Sequence, residues 1–391
     1  HYPLRRQRQM CIRDRHTDYS SIAINSSMLS TIKSIEFELT TDCNARCPQC
    51  ARNYFGGYKW PTVPDVKLDL KWIKDKVPTD VLPHLDYIRL CGTYGDPIAH
   101  PDLLNIVQYF KQFEVPLVIN TNGGLKSTNF FKKLAHLLTP EDKVYFGIDG
   151  LEDTHSLHRI NTKFNKVISN LKSFNDAGGT SIVSFLIFEH NEHQVNDVKK
   201  LAYDCGASDF AVKSTSRFLS KDYRQVSELE VYDITGKTIT HTIRPTQSPK
   251  YKNNGYTVYE NLDMDAKHIN CFSKRTQSIS IGADGYLMPC PWLNDRLYGY
   301  EAEKSADRKK MFDMMGEVGG WKKANLNHTP FNEIIFDDNG WFHKIQDSWN
   351  NTETALYRCK SQCHKDNILL AEANKNLSKS WSGEKGWQKK A

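Results

Sequence analysis

Cys43, Cys47 and Cys50 lie in the stretch TTDCNARCPQCARN, three thiols within eight residues, spaced by three and then two intervening positions. Thiolates crowded in this way ligate zinc or iron–sulfur clusters. A structural zinc site would take a fourth Cys or His close by, and none lies between Cys50 and His84. An iron–sulfur cluster can instead keep one iron open to a small molecule. Four more cysteines, Cys271, Cys290, Cys359 and Cys363, gather toward the C-terminal end. Ten cysteines in a chain whose basic N-terminus lacks an apolar export run argue against a disulfide framework and for metal or catalytic roles.

A loop that brings three thiols together needs a scaffold. Short β-rich runs at 35–40, 87–91, 116–120, 144–148, 181–188 and 209–213 alternate with amphipathic segments, the pattern of repeated βα units and a parallel sheet. Leu103, Ile106, Val107, Phe110 and Phe113 recur at helical spacing, as do Phe164, Val167, Ile168, Leu171 and Phe174, with Gly178 placed as a helix stop. Six such units predict an α/β fold, a partial (β/α)6 TIM-type barrel over residues 28–220, curved and open, with functional loops at the strands' C-terminal ends. The cysteine triplet follows directly on the first strand, in such a loop.

Residues 221–265 are polar, with Pro245 and Pro249, and read as a connection. In residues 266–370, SISIGADGYLMPC has two short alternating runs around an Ala-Asp-Gly turn, a hairpin signal. The rest of that region is rich in Trp, Asn and Lys, and reads as a small cysteine-rich α+β domain whose core would gain from a metal staple. Residues 371–391 read as a loose tail.

Cys-x3-Cys-x2-Cys after a first strand resembles the signature of the radical SAM superfamily. The resemblance implies a [4Fe–4S] cluster on Cys43, Cys47 and Cys50, with its open iron chelated by the amino and carboxylate groups of S-adenosylmethionine. It implies reductive cleavage of that cofactor to a 5′-deoxyadenosyl radical, which abstracts hydrogen from a substrate. CGTYGDPIAHPDL, ending the second strand, is similar to the family's Gly-Gly-Glu-Pro stretch and sets Tyr94, Gly95, Asp96 and Pro97 at the cofactor. There Gly95 would let the backbone approach a ligand closely, and Asp96 would accept from an ammonium group. NTNGG, which contains Asn122, and GIDGLEDTHSLHR resemble the family's stretches after strands three and four. Asp149 is then a ribose or substrate partner, or a plain helix N-cap. Arg217, just past strand six, would meet the cofactor carboxylate or else lie on the surface. Gln49 stands where the family often has an aromatic residue, and Gly147 where many relatives carry a serine.

Cys271, Gly285 and Cys290, with Cys359-x3-Cys363 as a closing pair, resemble the C-terminal extension called SPASM, or twitch in its shorter form. A full extension has cysteines for two clusters. Four imply one auxiliary [4Fe–4S] cluster, fully ligated by Cys271, Cys290, Cys359 and Cys363, for electron relay or structural support. Structural zinc on the same thiols stays open, and His364 could replace a neighbouring ligand.

Other residues carry less. Cys205 shares a helical face with Val195, Val198 and Leu201 and reads as core, while Cys91 reads as core filling or a substrate-facing thiol. Glu36 and Glu38 alternate with Ile35, Phe37 and Leu39 and face either the barrel lumen or a solvated side. EHNEH at 189–193 lacks the H-E-x-x-H spacing of a zinc protease.

The formal charge is +6, of which residues 1–27 supply +3. Their QRQMCIRDR resembles a translated sequencing adapter, so 1–27 reads as a non-native or disordered leader, with the functional chain beginning near Met28. The small remainder argues against a nucleic-acid partner, and no apolar run approaches the roughly 18 residues of a membrane helix. The expectation is a cytoplasmic radical SAM enzyme acting on a peptide, a protein or a small molecule, peptide preferred, with an electron donor such as flavodoxin or ferredoxin. A second expectation, of another class, is a non-catalytic zinc or iron–sulfur module that binds nucleic acid or protein.

Overall fold

A computed structural model describes residues 29–220, 225–251, 264–299 and 305–365. The expected leader, the tail and parts of the connection lie outside the described residues. β1 (Ser34–Phe37), β2 (Tyr87–Leu90), β3 (Leu117–Thr121), β4 (Lys143–Gly147), β5 (Ser181–Leu186) and β6 (Asp209–Lys213) pair parallel, each with the next. The six expected runs are therefore six strands of an α/β partial barrel.

Alternation divides each strand between two faces. Ile35, Phe37, Ile88, Leu90, Ile119, Val144, Phe146, Val183 and Phe185 are buried against the helices. The other face carries Glu36, Arg89, Asn120, Tyr145 and Ser184, all half-buried, and Lys213, exposed. The outer helices are α1 (Leu70–Lys76), α2 (Leu103–Lys111), α3 (Thr128–Leu137), α4 (Phe164–Asp176) and α5 (Val195–Asp204). Asp69 caps α1 and Ser127 caps α3 through their side chains. α2 buries Leu103, Ile106, Val107 and Phe110, the stripe its spacing predicts. Gly178 follows α4 at φ +90°, as its reading as a helix stop requires.

Two features differ from the sequence reading. Residues 229–243 hold a hairpin within the expected connection, β7 (Leu229–Tyr232) antiparallel to β8 (Ile239–Ile243). Polar residues such as Glu230, Thr240 and Thr242 fill much of these short strands, so their alternation is faint. Leu229, Val231 and Ile243 nevertheless make a second small core with Phe188 and Phe218. The expected C-terminal hairpin exists, as β9 (Ser278–Ile281) and β10 (Leu287–Met288), but it does not stand apart. β9 pairs parallel with β1, Ser34 opposite Ser278, so the sheet has eight strands in the order β10-β9-β1-β2-β3-β4-β5-β6. The edge of β1 that an open barrel would leave unpaired is thereby covered. One continuous core runs from Ile35 and Phe37 to Leu287, Leu293, Trp341 and Cys359. Behind the hairpin lie short helices, among them α6 (Phe272–Thr276), α7 (Ala306–Glu317) and α8 (Tyr357–Gln362).

Candidate functional site

The cysteine loop leaves β1 and is pinned from five directions. Thr41 Oγ1 donates to the Pro64 carbonyl at 2.6 Å, within the long loop itself. Asn122 Nδ2, after β3, donates to Cys43 Sγ at 3.5 Å and to Asn44 Oδ1 at 3.0 Å. Arg46 N donates to the Ile160 carbonyl and Asn161 Nδ2 to the Asn44 carbonyl, at 2.9 and 2.8 Å, from the segment after β4. Cys50 Sγ lies 3.9 Å from the Thr93 carbonyl after β2. Gln49 Nε2 donates to the Arg217 carbonyl after β6 at 3.0 Å. The C-terminal ends of β1, β2, β3, β4 and β6 thus meet at the triplet, where a barrel of this type gathers its loops.

The donor set fits a cationic group. Burial pushes all three thiols up, Cys47 to about 12, and the neighbouring thiols add to the effect at Cys43 and Cys47. Three thiolates in such a place repel one another and need compensating positive charge, which an iron or zinc centre supplies. Among the described residues no group of three or more His, Cys, Asp or Glu side chains is closed up as a ready single-ion site. What fits the triplet to a metal centre is its donor chemistry and position.

Tyr94, Gly95, Asp96, Pro97 and Asn122 surround the cysteine loop, and most of their polar atoms are engaged by the chain itself. Gly95 lies so close to Thr40 that a Cβ would overlap its carbonyl oxygen. The close approach that the missing side chain permits is therefore to the loop entering the triplet. Asp96, buried, accepts from Thr121 Oγ1, Asn122 N and Ile98 N at 3.0, 2.8 and 2.9 Å. The expected ammonium acceptor thus ties the β2 loop to the β3 loop. Pro97 begins the short 3-10 turn that Asp96 caps. Tyr94 N and Gly95 N donate to Glu38 Oε1 at 2.5 and 3.1 Å. Burial pushes the Glu38 carboxyl up to about 8.

Asp149 is fully buried and is not an N-cap. Its Oδ2 accepts from Arg159 Nε at 2.5 Å and lies 2.8 Å from His158 Nδ1, and its Oδ1 accepts from Leu186 N at 2.7 Å. Burial alone would raise this carboxyl, but the Arg159 guanidinium and His158 hold it well below the usual range. Arg159 also stands beside Cys47, where its charge favours the thiolate. Its guanidinium fills the space over Gly147, where a Cβ would lie 2.6 Å from Nη2. Sequence reasoning did not promote Arg159. The signal was there in the pairing of a glycine at 147 with a basic residue at the end of DTHSLHR. Arg217 lies at the rim of the triplet, close enough for its charge to favour the Cys50 thiolate. Cys205 is core, as expected, but Cys91 lies on the lumen side with Arg89 and is not core filling.

The four C-terminal cysteines also converge. Cys271 opens α6 and accepts from Lys274 N at 3.5 Å. A hydrogen bond from Cys363 draws the Cys271 thiol down to about 7 and drives Cys363 up. Cys359 and Cys363 lie one turn apart at the end of α8, and the Asn270 amide donates to the Cys363 carbonyl at 2.6 Å. Burial pushes Cys290 up, and so do the neighbouring Cys359 and Cys271. His364 packs its ring on His268, with centroids 5.1 Å apart. The nine described cysteines form no disulfide.

Comparison with known proteins agrees with this geometry. Residues 37–202 match the model of the Radical SAM superfamily. The matched segment holds the cysteine triplet and the strand ends that meet at it, and the chain is an enzyme, which removes the non-catalytic module. It is 26% identical over 268 residues to the tungsten-containing aldehyde ferredoxin oxidoreductase cofactor-modifying protein of Pyrococcus furiosus, covering 66% of this chain and 71% of that protein. It is 23% identical over 338 residues to the GTP 3′,8-cyclase of Helicobacter pylori, covering 78% and 92% respectively. The crystal structure of Streptococcus suis SuiB bound to S-adenosylmethionine aligns at 14% identity with a TM-score of 0.45, over 67% of this chain. The chain spans 61% of that protein's length. Among the described residues no helix is long and apolar enough to cross a membrane.

Proposed function

We propose that this enzyme reductively cleaves S-adenosylmethionine at a [4Fe–4S] cluster on Cys43, Cys47 and Cys50 and abstracts hydrogen from a substrate held in the barrel lumen. When bound, the cluster and its cofactor supply the one-electron cleavage that yields the 5′-deoxyadenosyl radical. The carrying observation is the meeting of five strand ends at three thiols that need compensating charge. In this reading Asp96 and Asn122 fix the loop on which the thiols sit, Arg159 balances the Cys47 thiolate, and Arg217 offers a cation at the rim. Tyr94, Gly95 and Pro97 shape the wall beside the cofactor, and Asp149 acts through Arg159.

The core occupies residues 28–220, and residues 266–370 hold one auxiliary [4Fe–4S] cluster on Cys271, Cys290, Cys359 and Cys363. Convergence of the four thiols supports this reading. Flavodoxin or ferredoxin would supply the electron, and unpaired thiols suit a cytoplasmic address. The likeness to a cofactor-modifying protein and a GTP cyclase favours a small molecule over a peptide.

The test is anaerobic reconstitution with metal and sulfide analysis, followed by S-adenosylmethionine and dithionite. About eight irons per chain and release of 5′-deoxyadenosine are expected. Cys47→Ala should abolish release, and Cys290→Ala should leave about four irons. Zinc without iron, and no release, would overturn the proposal.

A further inference from the structure

We propose that the barrel lumen binds its substrate through an anionic group, a carboxylate or a phosphate, held between Arg89 and Lys213. This rests on the reading of the lumen as the substrate chamber and names what that chamber takes.

The inner face of the sheet is an array of polar side chains. Arg89 Nε lies 3.6 Å from Glu36 Oε2, and its Nη1 donates to Asn120 Oδ1 at 3.3 Å. Lys213 Nζ stands 5.4 Å from the centroid of the Tyr145 ring. Lys213 lies within electrostatic reach of Arg89, Cys91, Arg159 and Asp149, which places it between the cluster loop and the middle of the sheet. Partial desolvation by the surrounding chain lowers its ammonium although the residue is exposed, and the charge of Arg89 lowers it further.

Two cations on the same face of the sheet, Arg89 half-buried and Lys213 open to solvent, attract negative charge. Among the described residues the chain answers only in part. Arg159 is matched by Asp149, and Glu36 is the one carboxylate in an ion pair with Arg89. Burial pushes Glu36 up to about 7 and Glu38 to about 8, so near neutral pH neither carries a full negative charge. An excess of positive charge therefore faces the lumen. A guanidinium fork with an ammonium beside it matches the oxygens of a carboxylate or a phosphate.

The test uses the full reconstituted chain. Thermal midpoints are measured against sodium phosphate, sodium succinate and sodium chloride at matched ionic strength. Phosphate or succinate should raise the midpoint by about 2 °C near saturation, beyond chloride, and the more effective anion identifies the substrate group. Arg89→Met and Lys213→Met should each abolish the shift. If either fails to fold, Arg89→Lys, which keeps charge but loses the fork, should raise the anion concentration needed about tenfold. Equal shifts for all three salts, or shifts unchanged in the variants, overturn the proposal. Release of 5′-deoxyadenosine by the wild type is scored separately. Anion binding without release supports the pocket while removing the radical reading, and release without anion binding overturns the pocket alone.

Discussion

The Tyr94 hydroxyl donates to the Asn294 carbonyl oxygen at 2.8 Å, joining the loop beside the cysteine triplet to a residue 200 positions further along the chain. The Tyr94 hydroxyl oxygen in turn accepts from the Tyr298 amide at 3.1 Å. Both groups border a small cleft that Glu38 and Asp284 also line. The two cysteine-bearing regions are therefore clamped by a buried side chain. Tyr94→Phe keeps the ring and removes both bonds, leaving the Tyr298 amide without this acceptor. A loss of roughly 1–3 kcal/mol is expected, read from urea midpoints, with no change in the spectrum of the folded protein.

Two glycines should behave in opposite ways. A Cβ at Gly95 collides with backbone, which cannot swing aside, so Gly95→Ala should misplace the cysteine loop and give insoluble or iron-poor protein. Gly178, at φ +90°, has nothing within 4 Å of its Cβ position. Gly178→Ala should cost only the backbone conformation, about 1 kcal/mol, with iron content retained. Parallel iron assays and unfolding curves separate the two.

Arg159 is the only cation hydrogen-bonded to Asp149 among the described residues apart from what protonated His158 would add. Arg159→Met strands a buried carboxylate and should destabilise by about 3–5 kcal/mol. Gly147→Ser meets only the end of that flexible side chain, so it should cost about 1 kcal/mol or less while shifting the guanidinium away from Cys47. The expected sign is an unchanged fold with altered iron retention, measured by chelator challenge.

The lumen acids set a pH dependence. Glu36 and Glu38 rise from 4.5 to about 7 and about 8 on folding, so the folded state holds protons that the unfolded chain has released. Their contribution is full below about 4.5 and is lost as pH rises through 7 and 8. Asp149 is depressed, so its contribution is present above the ordinary carboxyl range and lost as pH falls below it. Urea midpoints should decline from pH 5.5 to 9, and Glu38→Gln should flatten the decline. A midpoint that rises over that interval contradicts the assignment.

The strands of the barrel were legible because Ile35, Phe37, Ile88, Leu90, Val144 and Phe146 alternate cleanly with polar residues, a local pattern that burial on one face imposes. The triplet was legible because its spacing is local too. Gly147 and Arg159 stand in one quoted stretch, yet their relation, a volume vacated by one residue and filled by another, shows only once the chain is folded. Gly95 was recognised as a place of close approach, yet the partner is Thr40, 55 positions earlier. The attachment of β9 to β1 was hidden for the same reason: a four-residue run such as SISI carries no record of which edge it will join.

That attachment bears on how the protein comes into being. β1 is made early but lies between β2 and β9, and β9 is made about 240 residues later. At roughly 5–20 residues per second, the ribosome leaves one edge of the strand beneath the cysteine loop open for about 10–50 s. Throughout that interval the nascent chain presents the three thiols of that loop on an unfinished scaffold, exposed to oxidants and to other chains with unpaired edges. Iron loading that waits for chain release, or a chaperone that shields β1, would meet a hazard set by the order of the strands.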